Sequence, residues 1–170
     1  IEAQRATAVK RFLTDLLEVS DAGIPRDQLP STETLLQDGT KRIQGEFEQT
    51  PELKLDLLLL LGRIHTNLGM YKQAETLLKQ ALDLANQKLH PGDENWLAVQ
   101  TAWAKLLEQQ SQIQQAHNHI QAALQTHEKV NAQPSIVLAE ALLIHAKTLR
   151  TLGVLRENLA EIERAIAILQ

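Results

Sequence analysis

Six histidines are the residues best able to do chemistry in this 170-residue sequence, and their spacing gives them none to do. His117 and His119 stand two apart, so on a helix they point to different faces and cannot chelate one ion together. His65 and His145 fall in otherwise apolar columns, where an imidazole packs as a part-buried core side chain. No His-Glu-x-x-His pair, no Gly-x-Gly-x-x-Gly or other phosphate-cradling loop, and no cysteine is present. Serine, threonine and carboxylate residues occur without a spacing that joins a nucleophile to its base. The chain is therefore expected to carry no catalytic residue, no metal and no cofactor, and not to be an enzyme.

The pattern that remains is a column of cations. Arg63, Lys105 and Lys147 are spaced 42 residues apart. Around them lie Leu59 and Thr66/Asn67 in the first copy, Thr101 and Glu108/Gln109 in the second, and Leu143 and Arg150/Thr151 in the third. This face is offset by one residue from the apolar column of Leu58, Leu61, Gly62 and His65. Helices packed side by side lie about 8–10 Å apart, so the column would form a basic stripe about 20 Å long. It would do so on a chain of net charge −4, whose overall acidity argues against a nucleic-acid ligand.

The elements that must position this column repeat with it. At a shift of 42 residues Gly69 falls on Ser111 and Gly153, and Gly62 falls on Ala104 and Ala146. Leu78, Ile120 and Ile162 share a column, as do Ala81, Ala123 and Ala165. Within each copy the apolar residues recur at three- and four-residue spacing, the mark of a helix face. One helix starts near Pro51 and stops near Gly69, and a second runs from Tyr71 past Ala85. Pro91-Gly92-Asp93 breaks the chain, with Asp93 placed to cap the next helix. The second pair is expected over about 94–110 and 112–130; Pro134 opens the third, over about 134–151 and 154–169. Short connections make paired helices antiparallel neighbours.

Residues 1–50 are less regular. Ala8, Phe12, Leu16 and Val19 give one helical face, Pro25 to Pro30 reads as a loop, and Ser31 or Thr32 begins a further helix through Leu35, Leu36, Ile43 and Phe47. This is expected to be a degenerate or capping pair ahead of three full repeats over 51–170, the whole forming one continuous domain.

The columns Leu61-Gly62, Leu68-Gly69, Tyr71, Ala74, Leu78 and Ala81-Leu82 resemble the tetratricopeptide repeat in a 42-residue variant, and Leu89-His90-Pro91-Gly92-Asp93 is similar to its connector. The resemblance implies an all-α fold, a right-handed α-solenoid of about eight helices in antiparallel pairs. It also implies that the column of cations lines a concave groove. Leu59, Arg63, Asn67, Thr101, Lys105, Gln109, Leu143, Lys147 and Arg150 are then the candidate groove residues. Three cations in a shallow groove attract anions, so the ligand is expected to be an acidic protein or peptide.

Ala8 to Asp21, with the later stretch Leu35 to Ile43, resembles the region downstream of the catalytic domain in bacterial serine/threonine protein kinases. The kinase motifs themselves are absent from these residues. The departures from the repeat pattern are Ser111 for the turn glycine, Asn158 where Ala74 and Ala116 supply a small side chain, and His145 in the column of Leu61 and Trp103.

Composition agrees with helices. Leucine accounts for 31 residues and aromatics for only 3%, a poor basis for a β-sandwich or barrel. The longest apolar run, Leu57 to Gly62, falls far short of the ~20 residues of a spanning helix, so no membrane insertion is expected. The chain starts at Ile1 and reads as a piece of a longer protein, with cytoplasm and periplasm both open. The functional expectation is a protein–protein interaction module. The alternative is a structural module that self-associates or spaces other domains, with the last helix, Leu155 to Leu169, losing apolar surface on association.

Overall fold

Apolar side chains at three- and four-residue spacing become helices throughout. The computed structural model describes residues 2–18, 30–130 and 133–170, and among these it contains eight α-helices and no strand. They are α1 (Glu2–Glu18), α2 (Thr32–Glu46), α3 (Pro51–Asn67), α4 (Tyr71–Lys88), α5 (Glu94–Gln109), α6 (Ile113–Lys129), α7 (Ile136–Thr151) and α8 (Leu155–Leu169). Val19 and the expected loop as far as residue 29 lie outside the described residues.

Two helix starts are capped by serine hydroxyls. Ser31 caps α2, its Oγ accepting from the Thr34 backbone N–H at 3.1 Å. Asp93 occupies the cap position of α5, but its side chain makes no capping bond. Pro134, expected to open the third pair, sits outside α7. Ser135 is the cap, its Oγ accepting from Leu138 N–H at 3.1 Å, so the helix starts two residues later.

Helix ends follow the turn column. Gly69, Ser111 and Gly153 all have left-handed backbone, with φ of 75°, 61° and 82°. In each turn the next residue's N–H reaches back five residues: Met70 to His65, Gln112 to Leu107 and Val154 to Leu149, each at 2.9 Å. The column residue itself bonds three residues back, Gly69 to Thr66, Ser111 to Glu108 and Gly153 to Arg150. This pair of bonds is the Schellman motif, three times over.

The chain divides into two compact units, Ile1–Leu61 and Gly62–Gln170, with the boundary inside α3. In the first, Phe12, Leu16, Leu36, Ile43, Leu55, Leu57, Leu58 and Leu61 are buried. The rings of Phe12 and Phe47 meet edge to face at 6.0 Å, and the Arg42 guanidinium lies 5.1 Å above Phe12. Arg5 holds the Asp56 carboxylate through both oxygens at 2.6–2.9 Å.

In the second unit, consecutive helices from α4 to α8 pack on one another, and α5 also packs directly against α7. Small residues make these crossings close: Ala74, Ala81, Ala104, Ala116, Ala123, Ala146 and Ala165 are all buried. Asn158, the departure from this pattern, is buried too. Its Nδ2 donates to the Ala146 carbonyl at 2.6 Å, which satisfies the amide across the α7–α8 contact.

Two substitutions test this packing. A methyl at Gly62 would lie 2.5 Å from Leu78 Cδ2 and 2.7 Å from Leu78 Cγ, and Leu78 is fully buried. Gly62→Ala gains about 1 kcal/mol of helix propensity but incurs about 1–3 kcal/mol of overpacking, so melting is expected to occur a few degrees lower. A higher melting temperature would mean that Leu78 moves freely. Ser111→Gly removes a side chain from a left-handed position and is expected to stabilise by about 0.5–1 kcal/mol. A fall in melting temperature would contradict the turn assignment.

Candidate partner-binding face

The column of cations carries its own counter-charges. Lys147 on α7 donates to Glu108 on α5 at 2.8 Å, and Glu108 also accepts from the Gln109 amide at 2.9 Å. Arg63, in the last turns of α3, pairs with Glu140 on α7. Lys105 is half-buried and has no ion-pair partner among the described residues; Arg150 is exposed on the last turn of α7 and likewise unpaired. The stripe that is uniformly basic in sequence is thus an alternation of paired and unpaired cations.

The remaining expected residues divide. Leu143 is exposed on α7, and Asn67 and Gln109 are exposed at the ends of α3 and α5. Thr101 is only 1% exposed, and its hydroxyl donates to the Leu97 carbonyl at 2.8 Å, so it offers nothing to an outside ligand. Leu59 is half-buried and belongs to the first unit. Glu140 escaped the sequence reading. Nothing in the local sequence signals it, because its partner Arg63 is 77 residues away.

The histidines do structural work in the second unit. The Nδ1–H of His127 donates to the Gly92 carbonyl at 2.5 Å, which ties the connector ahead of α5 to α6. The rings of His117 on α6 and His145 on α7 stack at 5.1 Å, 23° from parallel. His145 Nδ1 lies 3.4 Å from Glu161 Oε1 on α8, a distance for electrostatic contact rather than a good hydrogen bond. Arg164 joins this carboxylate at 3.0 Å and Glu128 on α6 at 2.5 Å. The contact with His145 is the largest influence on the Glu161 carboxyl, which is held below its ordinary value, with Arg164 adding to it. Burial pushes His117 below its ordinary value, and His145 acts in the same direction against Glu157; burial alone does the same to His119. Among the described residues no three His, Asp or Glu side chains gather as a metal site, and no helix is long and apolar enough to cross a membrane.

No protein-family model matches this chain, and no curated protein matches it either.

These shifts have a pH consequence. A histidine whose folded value is depressed contributes stability that is complete above its unfolded value of 6.5 and declines as pH falls below it. Glu161 acts lower, its contribution being complete above 4.5 and lost as pH falls through its depressed folded value. The melting temperature is therefore expected to fall between pH 7 and pH 5, and to fall less in His117→Gln/His119→Gln. Parallel pH profiles for the two proteins would show that neither imidazole carries the effect.

Proposed function

We propose that α5 and α7 present a protein- or peptide-binding face, within an array of helix pairs of the tetratricopeptide kind. In this reading the array is the non-catalytic, partner-recruiting part of a signalling protein such as a bacterial serine/threonine kinase. The three turns at Gly69, Ser111 and Gly153, alike in backbone and hydrogen-bond pattern, and the direct α5–α7 packing support a repeating array. One observation carries the binding reading. Lys105 and Arg150 stay unpaired on a face whose other two cations already have carboxylates, and the exposed Leu143 lies on the same helix as Arg150. Such a face fits a segment that places an acidic side chain beside an apolar one.

A short fluorescent Glu-rich peptide with one central Leu, and its Lys-rich counterpart, serve as probes in an anisotropy titration. The acidic peptide is expected to bind more tightly, and less tightly as salt rises, because exposed charges are screened beyond about 8 Å at physiological salt. Exposed pairs are worth about 0.2–1 kcal/mol each, so Lys105→Glu/Arg150→Glu should weaken it up to about thirtyfold. Equal affinity for both peptides, unmoved by the double reversal, would remove this face from the binding site.

A further inference from the structure

The outer face of α8 is an unpaired seam. Leu155, Leu159, Ile162, Ile166 and Leu169 follow one another at alternating four- and three-residue steps, a strict heptad stripe over the whole helix. Leu155 is 62% exposed, Leu159 59%, Ile166 49% and Leu169 57%. One repeat earlier the same column is Ile113, His117, Ile120, Leu124 and His127 on α6, and there Ile120, Leu124 and His127 are buried and His117 is stacked on α7. The geometry that receives a helix on α6 is left open on α8.

We propose that a second copy of this chain docks here, α8 against α8, antiparallel about a two-fold axis. Two features of the stripe point to a copy of itself. The first is charge. In the heptad frame that puts the apolar residues at the a and d positions, the e position holds Arg156 and then Glu163, both exposed and both without an ion-pair partner among the described residues. The g positions, Asn158 and Ala165, are buried within the chain's own fold. Antiparallel pairing sets e rows side by side. With Leu155 opposite Ile166 and Leu159 opposite Ile162 of the second copy, each Arg156 meets the other copy's Glu163, and both ends of the seam are matched by symmetry. Parallel pairing would set each e row against the buried g row and leave all four charges unmatched.

The second feature is area. The stripe exposes on the order of 400 Å² of apolar surface, at the size where a patch on a monomer is usually functional. Two such stripes with their flanking rows bury on the order of 1,000 Å², the lower bound for a specific interface. A reversible dimer follows, on a different surface from the proposed peptide-binding face.

The test is sedimentation velocity on the whole chain over a wide concentration range, with helicity checked by circular dichroism. The wild type is expected to move from one chain of 19.0 kDa towards twice that mass as concentration rises. Leu159→Glu, at an already exposed position, is expected to stay a folded monomer, as is Leu169→Glu. Arg156→Glu and Glu163→Arg should each raise the dissociation constant several-fold, and the double reversal should restore it. A wild type that remains a monomer at the highest concentration overturns the proposal. So does a dimer indifferent to Leu159→Glu and Leu169→Glu. Failure of the double reversal to restore association overturns the antiparallel copy, and capture of another partner by a monomeric wild type through Leu159 would assign the seam to that partner instead.

Discussion

Everything in the second unit depends on how a first helix ends. At Gly69, Ser111 and Gly153 the backbone turns left-handed, and two N–H groups fold back onto the final turn. The carbonyls that receive the longer of these bonds belong to His65, Leu107 and Leu149, which are all buried. Each reversal is thereby anchored inside the helix contact it creates. The two hydrogen bonds contribute only about 0.5–1.5 kcal/mol each. Their larger effect is to fix the angle at which the second helix returns, so that Gly62 meets the large side chain of Leu78. The methyl-sized gap at Gly62, filled by Leu78, exists only at that angle. Ser111 makes the same turn as its glycine neighbours, so the constraint belongs to the packing and not to glycine.

The charged face obeys a second constraint, that cations repeated at the same height repel. Carboxylates on neighbouring helices relieve it, Glu108 for Lys147 and Glu140 for Arg63. Pairs this exposed add little to stability. They do fix which cations lack a carboxylate, and under the proposed reading those charges would govern partner selection and encounter rate more than affinity. Had all three cations stood free, the face would attract any anion; with Lys105 and Arg150 alone, position matters as well as sign.

Helix positions were legible in the sequence because a period of 42 residues and three- and four-residue spacing are properties of the chain alone. So was the turn column, including the substitution at Ser111. The start of α7 was not, because a serine hydroxyl at Ser135 outweighs the proline before it. On the candidate face, Arg150 and Leu143 were readable as exposed residues, whereas Lys105 is half-buried. Thr101 was not readable as buried, since a threonine that bonds its own helix backbone looks polar in sequence and behaves as apolar in the core. Glu140 stayed hidden because its partner Arg63 is 77 residues away, and no local pattern encodes a pair that distant.

The column shared by α6 and α8 reverses the usual placement of polarity. On the covered helix α6 it carries His117 and His127, and on the exposed helix α8 it carries Leu159 and Leu169 in the same places. The covered imidazoles have compensation. His127 donates to the Gly92 carbonyl, and His117 stacks on His145 beside Thr148, whose hydroxyl lies 3.4 Å from its Nδ1. The exposed leucines have none, and apolar surface left in water costs about 25 cal/mol per Å². A helix face meant for water carries charged or polar residues. Along α8 the polar residues instead flank the stripe, one cation and one anion at equivalent heights. That is the layout of a contact with a helix bearing the opposite order of charges, and α8 read backwards is such a helix.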